Sequence, residues 1–399
     1  MRATPAPRRR SPASTSTRAT CCPGCSRSAR ESGRGLAAPS SAQGPAVSER
    51  PLRIAHVGPV ATSTPPPKSG SVEVIMSLLT EGLVARGHDV TLFATGDSKT
   101  AAKLHAIYPH GYWHDEAMWP WELYEMLNLA AAVEHARDFD VIHYEAAYYP
   151  MSLAFARLSP TPIVQTLHHA PGPDEVRLWS RYPEAPFIAI SREQARRLEG
   201  LNVLDVVLHG IDIGAFAFRA QPEDYLLFLG RFTEGKGVLQ AIEVARRVGM
   251  RLILAAAEED YYHEHVAPHV DGVSVVYFGE ADHEAKVRLF GGARALLYPV
   301  QAAEPFGLVL AEAMVCGTPV AALDKGAVRE IVEDGVTGCV FDDLDAMVAG
   351  LPRVFALDRS AVYERAVARF GADRMVDEYV AAYRHVIAWA ADGGRAAHV

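Results

Sequence analysis

From Leu52 onward the chain alternates short β-rich apolar runs with stretches whose apolar residues recur at helical spacing. LRIAHV, DVTLFA, DVIHY, PIVQTL, FIAIS and VVLH are the strand candidates of the first half, with helical segments over residues 72–86, 124–137 and 192–199 between them. A second series begins after Asp212 and reads YLLFLG, RLILAAA, VSVVYFG, ALLYP, PVAAL and GCVF. Parallel strands are buried on both faces and need a crossover between neighbours, so continuous apolar runs alternating with helices predict a doubly wound α/β sheet. Two series predict two Rossmann-like domains. Their boundary is expected near residues 211–222, where IDIGAFAFRAQP combines Gly and Pro with polar positions. After Ala372, Met375, Tyr379, Tyr383, Val386 and Ala390 fall at three- to four-residue spacing and form an apolar stripe that needs a partner.

Length agrees, since 399 residues exceed the usual size of one core. Apolar residues at 49% and charged residues at 22% suit a globular enzyme, and no apolar run is long enough to predict a membrane span. Residues 1–50 differ: they hold nine Arg against two Glu and are rich in Ser, Thr, Pro, Ala and Gly, which predicts a disordered extension. It lacks the apolar segment of a secretory signal, so a transit peptide and a non-native upstream extension remain its two readings. Removing its charge of +7 from the total of −9 leaves −16 on residues 51–399, a body not drawn to nucleic acid or anionic lipid. Cys21, Cys22 and Cys25 lie in the extension while Cys316 and Cys339 stand alone, so no disulfide framework or zinc site is expected and a reducing cytoplasm fits.

The densest chemistry is EPFGLVLAE at 304–312, where two carboxylates bracket the start of a helix. Pro305 suits an early helical position, Gly307 admits a close ligand, and Leu308 onward are good helix formers. At about 1.5 Å per residue, eight positions span roughly 12 Å if wholly helical and more if Glu304 precedes the helix. A nucleotide sugar has that reach from hexose to ribose. The unpaired amides near Gly307 and Leu308 would face the diphosphate, with Glu304 on the sugar and Glu312 on the ribose. The plainer reading is a chance pair of acids on a solvated face.

Against that reading stands YLLFLGRFTEGKG at 225–237, a strand-like run ending in Gly230 and Arg231 with Lys236 close behind. Cations at the carboxyl end of a parallel strand are placed to hold a diphosphate and to stabilise it as it leaves. Together, GRFTEGKG at 230–237 and EPFGLVLAEAMVCGTPVAALDKGAVREIVEDGVTG at 304–338 resemble the family 4 retaining glycosyltransferases of the GT-B fold. Weaker matches are RGHDVTLFATGDS at 86–98, TLHHAP at 166–171 and LHGID at 208–212, and the likeness covers residues 52–387.

The resemblance implies a metal-independent, retaining hexosyltransferase without a cofactor, acting on a nucleotide sugar, with UDP- and GDP-sugars the first candidates. It implies Arg231 and Lys236 as the diphosphate pair, Glu304 as sugar ligand, Glu312 as ribose ligand, and Gly230, Phe306, Gly307 and Leu308 around the donor. His168 resembles the family's active-site histidine beside the donor sugar. By the same likeness, residues 51–215 with a returning helix at 372–399 form an acceptor-side domain, and residues 216–371 the donor domain. One departure stands at the first loop, TPPPKSGSVE at 64–73, which keeps Gly70 and Glu73 but has Ser71 where relatives carry a second glycine. A Cβ makes positive φ costly there, so the phosphate contact is left to Gly70 and the Ser71 N–H.

Retention is implied to proceed by a front-face path in which the departing phosphate oxygen helps deprotonate the acceptor. Glu304 is the best-placed carboxylate, but its catalytic role stays open. Asp138 and Asp140 have DxD spacing, yet they precede a strand and read as solvated loop charge or caps. Asp342, Asp343 and Asp345 read as helix-start acids. The acceptor is unassigned: YPHGYWHDEAMWPWELY at 108–124, with Tyr144, Tyr148 and Tyr149, concentrates aromatics that stack on sugars or, more plainly, pack core and loops. Competing functions are a nucleotide-sugar epimerase, a phosphorylase, for which no pyridoxal lysine can be placed, and a non-catalytic nucleotide-sugar sensor. A dehydrogenase is poorer, since no strand is followed by G-x-G-x-x-G.

Overall fold

In the computed structural model of the chain, which describes residues 50–68, 70–115 and 117–394, the strands form two parallel sheets. The first holds β1 (Arg53–Val57), β2 (Asp89–Phe93), β3 (Lys103–His105), β4 (Val141–Ala146), β5 (Ile163–Leu167), β6 (Pro186–Ala189) and β7 (Asn202–Val206), in spatial order β3-β2-β1-β4-β5-β6-β7. The second holds β8 (Leu226–Leu229), β9 (Leu252–Ala255), β10 (Val275–Gly279), β11 (Ala295–Tyr298), β12 (Val320–Leu323) and β13 (Gly338–Phe341), in order β10-β9-β8-β11-β12-β13. Each order reverses once, between β1 and β4 and between β8 and β11. Such a switch leaves a crevice beyond the carboxyl ends of the two strands.

The described helices are α1 (Ser71–Ala85), α2 (Trp121–Glu134), α3 (Pro173–Trp179), α4 (Arg192–Arg197), α5 (Val238–Val248), α6 (His283–Gly292), α7 (Leu308–Val315), α8 (Val328–Ile331), α9 (Leu344–Phe355), α10 (Arg359–Phe370) and α11 (Ala372–Ala391). The expected α/β architecture of two doubly wound sheets therefore holds. Two strands depart from expectation. VVLH gives way to β7, which begins at Asn202, pairs with β6 and is only partly buried, so it lacks the continuous apolar run of an inner strand. The exposed three-residue β3 is an edge strand too short to leave a pattern. The extension at 1–49, with Cys21, Cys22 and Cys25, lies outside the described residues.

The stripe on α11 finds its partner in the first sheet. Met375, Val376, Tyr379, Tyr383 and Val386 are buried against Ile75, Leu79 and Leu83 of α1 and Val141, Val164 and Ile188 of the sheet. Each fully buried Tyr removes roughly 150–250 Å² from water, an upper figure of about 4–6 kcal/mol before ordering costs. The chain leaves the first sheet and returns to it side by side: the Ile211 N–H donates to Phe370 O at 2.7 Å, and the Ala372 N–H to Ile211 O at 3.0 Å. Glu330 of α8 ties the second half to the first by accepting from the Arg192 amide at 3.0 and 2.9 Å. Among the described residues no helix is long and apolar enough to cross a membrane.

Candidate functional site

β8 turns through Gly230 into Arg231, which is exposed and forms no ion pair among the described residues. Thr233 then opens a short turn over Glu234–Lys236 that carries Lys236 toward the loop ahead of α7. There Lys236 Nζ lies 2.5 Å from Glu304 Oε2, and the Tyr298 hydroxyl donates to the same oxygen. Glu304 is 7% exposed, and a carboxylate so far from water requires such donors. Burial pushes the Tyr298 hydroxyl far up, and the adjacent Glu304 carboxylate adds to this, so the phenol stays a donor. Sequence reasoning put Lys236 on a diphosphate and Glu304 on a sugar, and missed Tyr298. The structure brings all three together.

Gly307 sits at φ +85° before α7, and a Cβ there would lie 2.9 Å from Leu310 Cδ1 and 3.3 Å from Glu304 Cγ. Only glycine holds this turn without strain. α7 begins at Leu308, so Glu304 precedes the helix, and the amides of Leu308 and Val309 have no partner within it. One turn along, Glu312 Oε1 accepts from Lys286 Nζ of α6 at 2.8 Å, a partner that sequence spacing did not suggest. Phe306 is buried and meets the edge of His209 at 4.9 Å, which joins this loop to the first half of the chain.

His209 stacks on His168 with ring centroids 5.1 Å apart, and its Nδ1 is buried without a hydrogen-bond partner. His168 follows β5, and its Nε2 lies 2.7 Å from Glu145 Oε2. The register of β1 on β4 sets His56 beside His143, with rings stacked at 5.0 Å, and Glu145 two residues on shares their face. His56 Nε2 bonds Glu145 Oε1 at 3.1 Å and its Nδ1 bonds Thr80 at 2.8 Å; His143 bonds Thr166 at 2.9 Å and the Tyr383 hydroxyl at 2.8 Å. A carboxylate only accepts, so His56 and His168 each present Nε2–H to it. Burial opposes the charge on Glu145, but His143, His168 and His56 hold it well below the usual carboxylate range. His56, His143 and Glu145 place possible metal-ligand atoms within 4.8 Å of one another. Hydroxyl groups already engage both histidines, so the trio reads as a closed hydrogen-bond knot.

At the first loop the residue at positive φ is Gly70, at +149°, while Ser71 opens α1 in helical geometry. The strain expected at Ser71 therefore does not arise. In the first turn of α1, Glu73 is 3% exposed; burial raises its pKa, and its own amide and His168 draw it partly back. Glu125 of α2 accepts from the Tyr112 hydroxyl at 2.9 Å, and burial is the main cause that pushes it up to about 7. The sequence marked Glu73 only as the acid retained in the first loop, and Glu125 was not singled out.

One expectation needs correction. Asp140 is not a solvated charge: it pairs with Arg50 at 3.0 Å and Arg53 at 2.9 Å and accepts the Arg53 amide, which fastens β1 to β4. The aromatics divide between packed and exposed positions. Trp113 and Trp119 are exposed, and Tyr148 and Tyr149 are about half exposed, with Tyr149 stacked on Trp121 at 6.1 Å. Asp343 caps α9 as a helix-start acid, accepting the Ala346 amide at 2.8 Å.

Two family profiles match in adjoining blocks: Glycosyltransferase Family 4 over residues 72–214 and Glycosyl transferases group 1 over residues 215–362. The chain is 30% identical over 241 residues to the phosphatidyl-myo-inositol mannosyltransferase of Mycolicibacterium smegmatis, a match covering 54% of this chain and 61% of that enzyme. It is 25% identical over 389 residues to the glycogen synthase of Mycobacterium tuberculosis, covering 80% of this chain and 90% of that protein. Among solved structures, AviGT4, a glycosyltransferase involved in avilamycin A biosynthesis, superposes with a TM-score of 0.64 at 25% identity, over 85% of this chain and 98% of that one.

Proposed function

Since the chain belongs to the family 4 glycosyltransferases of the GT-B fold, we propose that it moves a hexose-type sugar from a nucleotide diphosphate sugar to an acceptor hydroxyl, with retention and without a metal. The observation that carries this reading is the meeting of Lys236, Tyr298 and Glu304 at the start of α7, where an ammonium and two unpaired helix amides flank a buried carboxylate. An anion with a polyhydroxyl group attached suits that arrangement. The diphosphate of a UDP- or GDP-sugar would take Arg231, Lys236 and the Leu308 and Val309 amides, while Gly230, Phe306 and Gly307 shape its bed and Gly70 and Ser71 approach from the first loop. The hexose would face Glu304 and His168, and the ribose Glu312.

The anomeric carbon then loses its bond to the phosphate oxygen and gains one to the acceptor oxygen on the same face. The acceptor proton passes to the departing phosphate oxygen, and a nucleoside diphosphate leaves. Fixed charge around that leaving group acts where negative charge develops, the setting in which each contact lowers the barrier most. The named relatives, a mannosyltransferase and a glycogen synthase, favour a hexose.

Incubation of the pure protein with a panel of UDP-, GDP- and TDP-sugars tests this reading. Slow release of free nucleotide is expected, faster once the right acceptor is added. A changed sugar with nucleotide still attached would make it an epimerase, and binding without turnover a sensor.

A further inference from the structure

We propose that Glu145 is a positioning residue that acts through His168: by accepting Nε2–H it fixes that ring as an uncharged imidazole, whose Nδ1 lone pair accepts a hydroxyl of the donor sugar. The owner of that hydroxyl rests on the transferase reading above, whereas the state of the ring does not. Glu145 lies in β4 with its side chain wholly buried, so it can reach a ligand only through another group. Three imidazoles surround it. His56 and His143 are 0% exposed, whereas His168, just beyond the carboxyl end of β5, keeps 7% of its side chain exposed. The other two rings also have no nitrogen to spare, since His56 Nδ1 bonds Thr80 and His143 bonds Thr166 and Tyr383.

Three contacts hold the His168 ring in place. On its edge, Nε2 lies 2.7 Å from Glu145 Oε2. On its face, His209 stacks with 11° between planes, and Phe306 backs His209 edge-on at 4.9 Å. At its backbone, the His168 N–H donates to Ala146 O at 3.1 Å, next in sequence to Glu145. Turning the ring over would set a C–H against Oε2 and forfeit a charge-assisted hydrogen bond. Burial opposes the charge on Glu145, but the imidazoles around it hold it well below the usual carboxylate range, so it stays an acceptor. A glutamate is a costly choice for the middle of a sheet, and burying one is weak evidence that it serves stability.

The chemistry at the free nitrogen follows. An uncharged imidazole donates from one nitrogen and accepts at the other, so a proton committed to Glu145 leaves a lone pair on Nδ1. Among the described residues nothing bonds that atom, and unlike His209 Nδ1 it is not sealed from solvent. An O–H satisfies a lone pair, whereas a phosphate or carboxylate oxygen would bring a second one. The ring takes up no proton in this role; it accepts a hydrogen bond and keeps its Nε2–H. As the sugar gains positive charge during transfer, a lone pair backed by a carboxylate favours that charge, and an imidazolium in the same place would oppose it. The cations beside the second sheet act on the leaving group, and Glu145 acts on the sugar.

The test is nitrogen–proton correlation NMR of the full chain, labelled with ¹⁵N-histidine, at about pH 8, above the ordinary histidine range. The His168 signals are those lost in His168→Gln, and the His56 signals those lost in His56→Gln. A single proton on His168 Nε2 is expected. A proton on Nδ1, alone or together with one on Nε2, would overturn the proposal. Glu145→Gln offers one acceptor oxygen and one NH₂ in place of two acceptors, so either His56 or His168 must carry its proton on Nδ1 instead. Both rings keeping Nε2–H in that folded variant would show that Glu145 does not set them, and if the variant fails to fold the parent spectrum still decides. Donor binding gives the second readout. His168→Gln keeps an N–H for Glu145 but has no lone pair at the Nδ1 position, so the calorimetric Kd for the nucleotide sugar found in the panel should rise about three- to tenfold, the size of one neutral hydrogen bond. Unchanged affinity removes this inference and leaves the transferase reading standing. A panel in which no nucleotide sugar binds removes that reading, and the sugar hydroxyl with it, while the spectrum decides the role of Glu145 by itself.

Discussion

Glu304 and Glu145 are both buried carboxylates near a switch point, and the molecule keeps them in opposite ways. Glu304 is met by an ammonium and a phenol, with Lys286 on neighbouring Glu312 and Arg231 in the same loop segment as Lys236. Glu145 has no Lys or Arg partner among the described residues and is held by imidazole N–H groups, with Glu73 and Glu125 on the same side of the molecule also lacking cations. Charge is thus segregated. Beside the second sheet the acids are paired with Lys236 and Lys286, while in the first Glu145 is met by imidazoles. If the proposed transfer holds, this segregation would put the cations on the side of the anionic leaving group.

The largest expected effect lies on the cationic side. Arg231→Ala or Lys236→Ala should lower nucleotide release on the order of 10²- to 10³-fold, because each removes a charge fixed where the leaving group develops its own. Steady-state rates with the donor found in the panel measure this. Turnover at the normal rate in both variants would break the comparison at its first term.

On the other side the expected loss is of stability. Glu145→Ala leaves the Nε2–H groups of His56 and His168 without their acceptor, at a cost of roughly 2–5 kcal/mol in a buried site. Glu304→Gln keeps an oxygen for Tyr298 and Lys236 and should cost less. Urea midpoints of the two variants rank them, and a larger loss in Glu304→Gln would reverse the contrast.

That contrast also separates what the sequence made legible from what it hid. Apolar runs marked every strand of the second sheet, including the partly buried edge β10, while the exposed edges β3 and β7 did not announce themselves. Glu304, Gly307 and Glu312 lie within one nonapeptide, and contiguity exposed them. Lys236 and Tyr298 reach Glu304 only through the fold, and Tyr298 reads as one more apolar-run residue in ALLYP. Glu145 was hidden further, since its partners come from β1, β4, the end of β5 and, through His143 and Tyr383, α11. A signal was there: a buried strand reading VIHYEA carries a His and a Glu two apart on one face, a costly choice for a core.

Glu125 sharpens the comparison through pH. Its folded-state pKa of about 7 stands above the ordinary 4.5, so the folded chain binds the extra proton between those values. Stability from this group is therefore present below about pH 4.5 and lost as pH rises through 7, by roughly 3–4 kcal/mol in full. Glu125→Gln removes that slope and should be more stable than the parent at pH 8, with little difference at pH 5. Parallel curves for the two proteins from pH 5 to 8 would mean that Glu125 is not the buried acid without a cationic partner that the comparison needs.

The smallest effect is expected at Lys286 and Glu312, whose side chains remain 27% and 15% exposed. Lys286→Gln should cost about 0.5–1 kcal/mol, as partly solvated pairs do. That weakness has a consequence for binding, because a carboxylate held so loosely can change partners and meet a ribose without a large penalty. Donor KM should accordingly stay within about threefold of the parent, whereas Glu312→Gln, which removes the proposed ribose ligand, should raise it about tenfold. If Lys286→Gln raised donor KM as much as Glu312→Gln, the ammonium would be gripping the donor directly. The cationic side would then extend one helix further than Arg231 and Lys236 mark it.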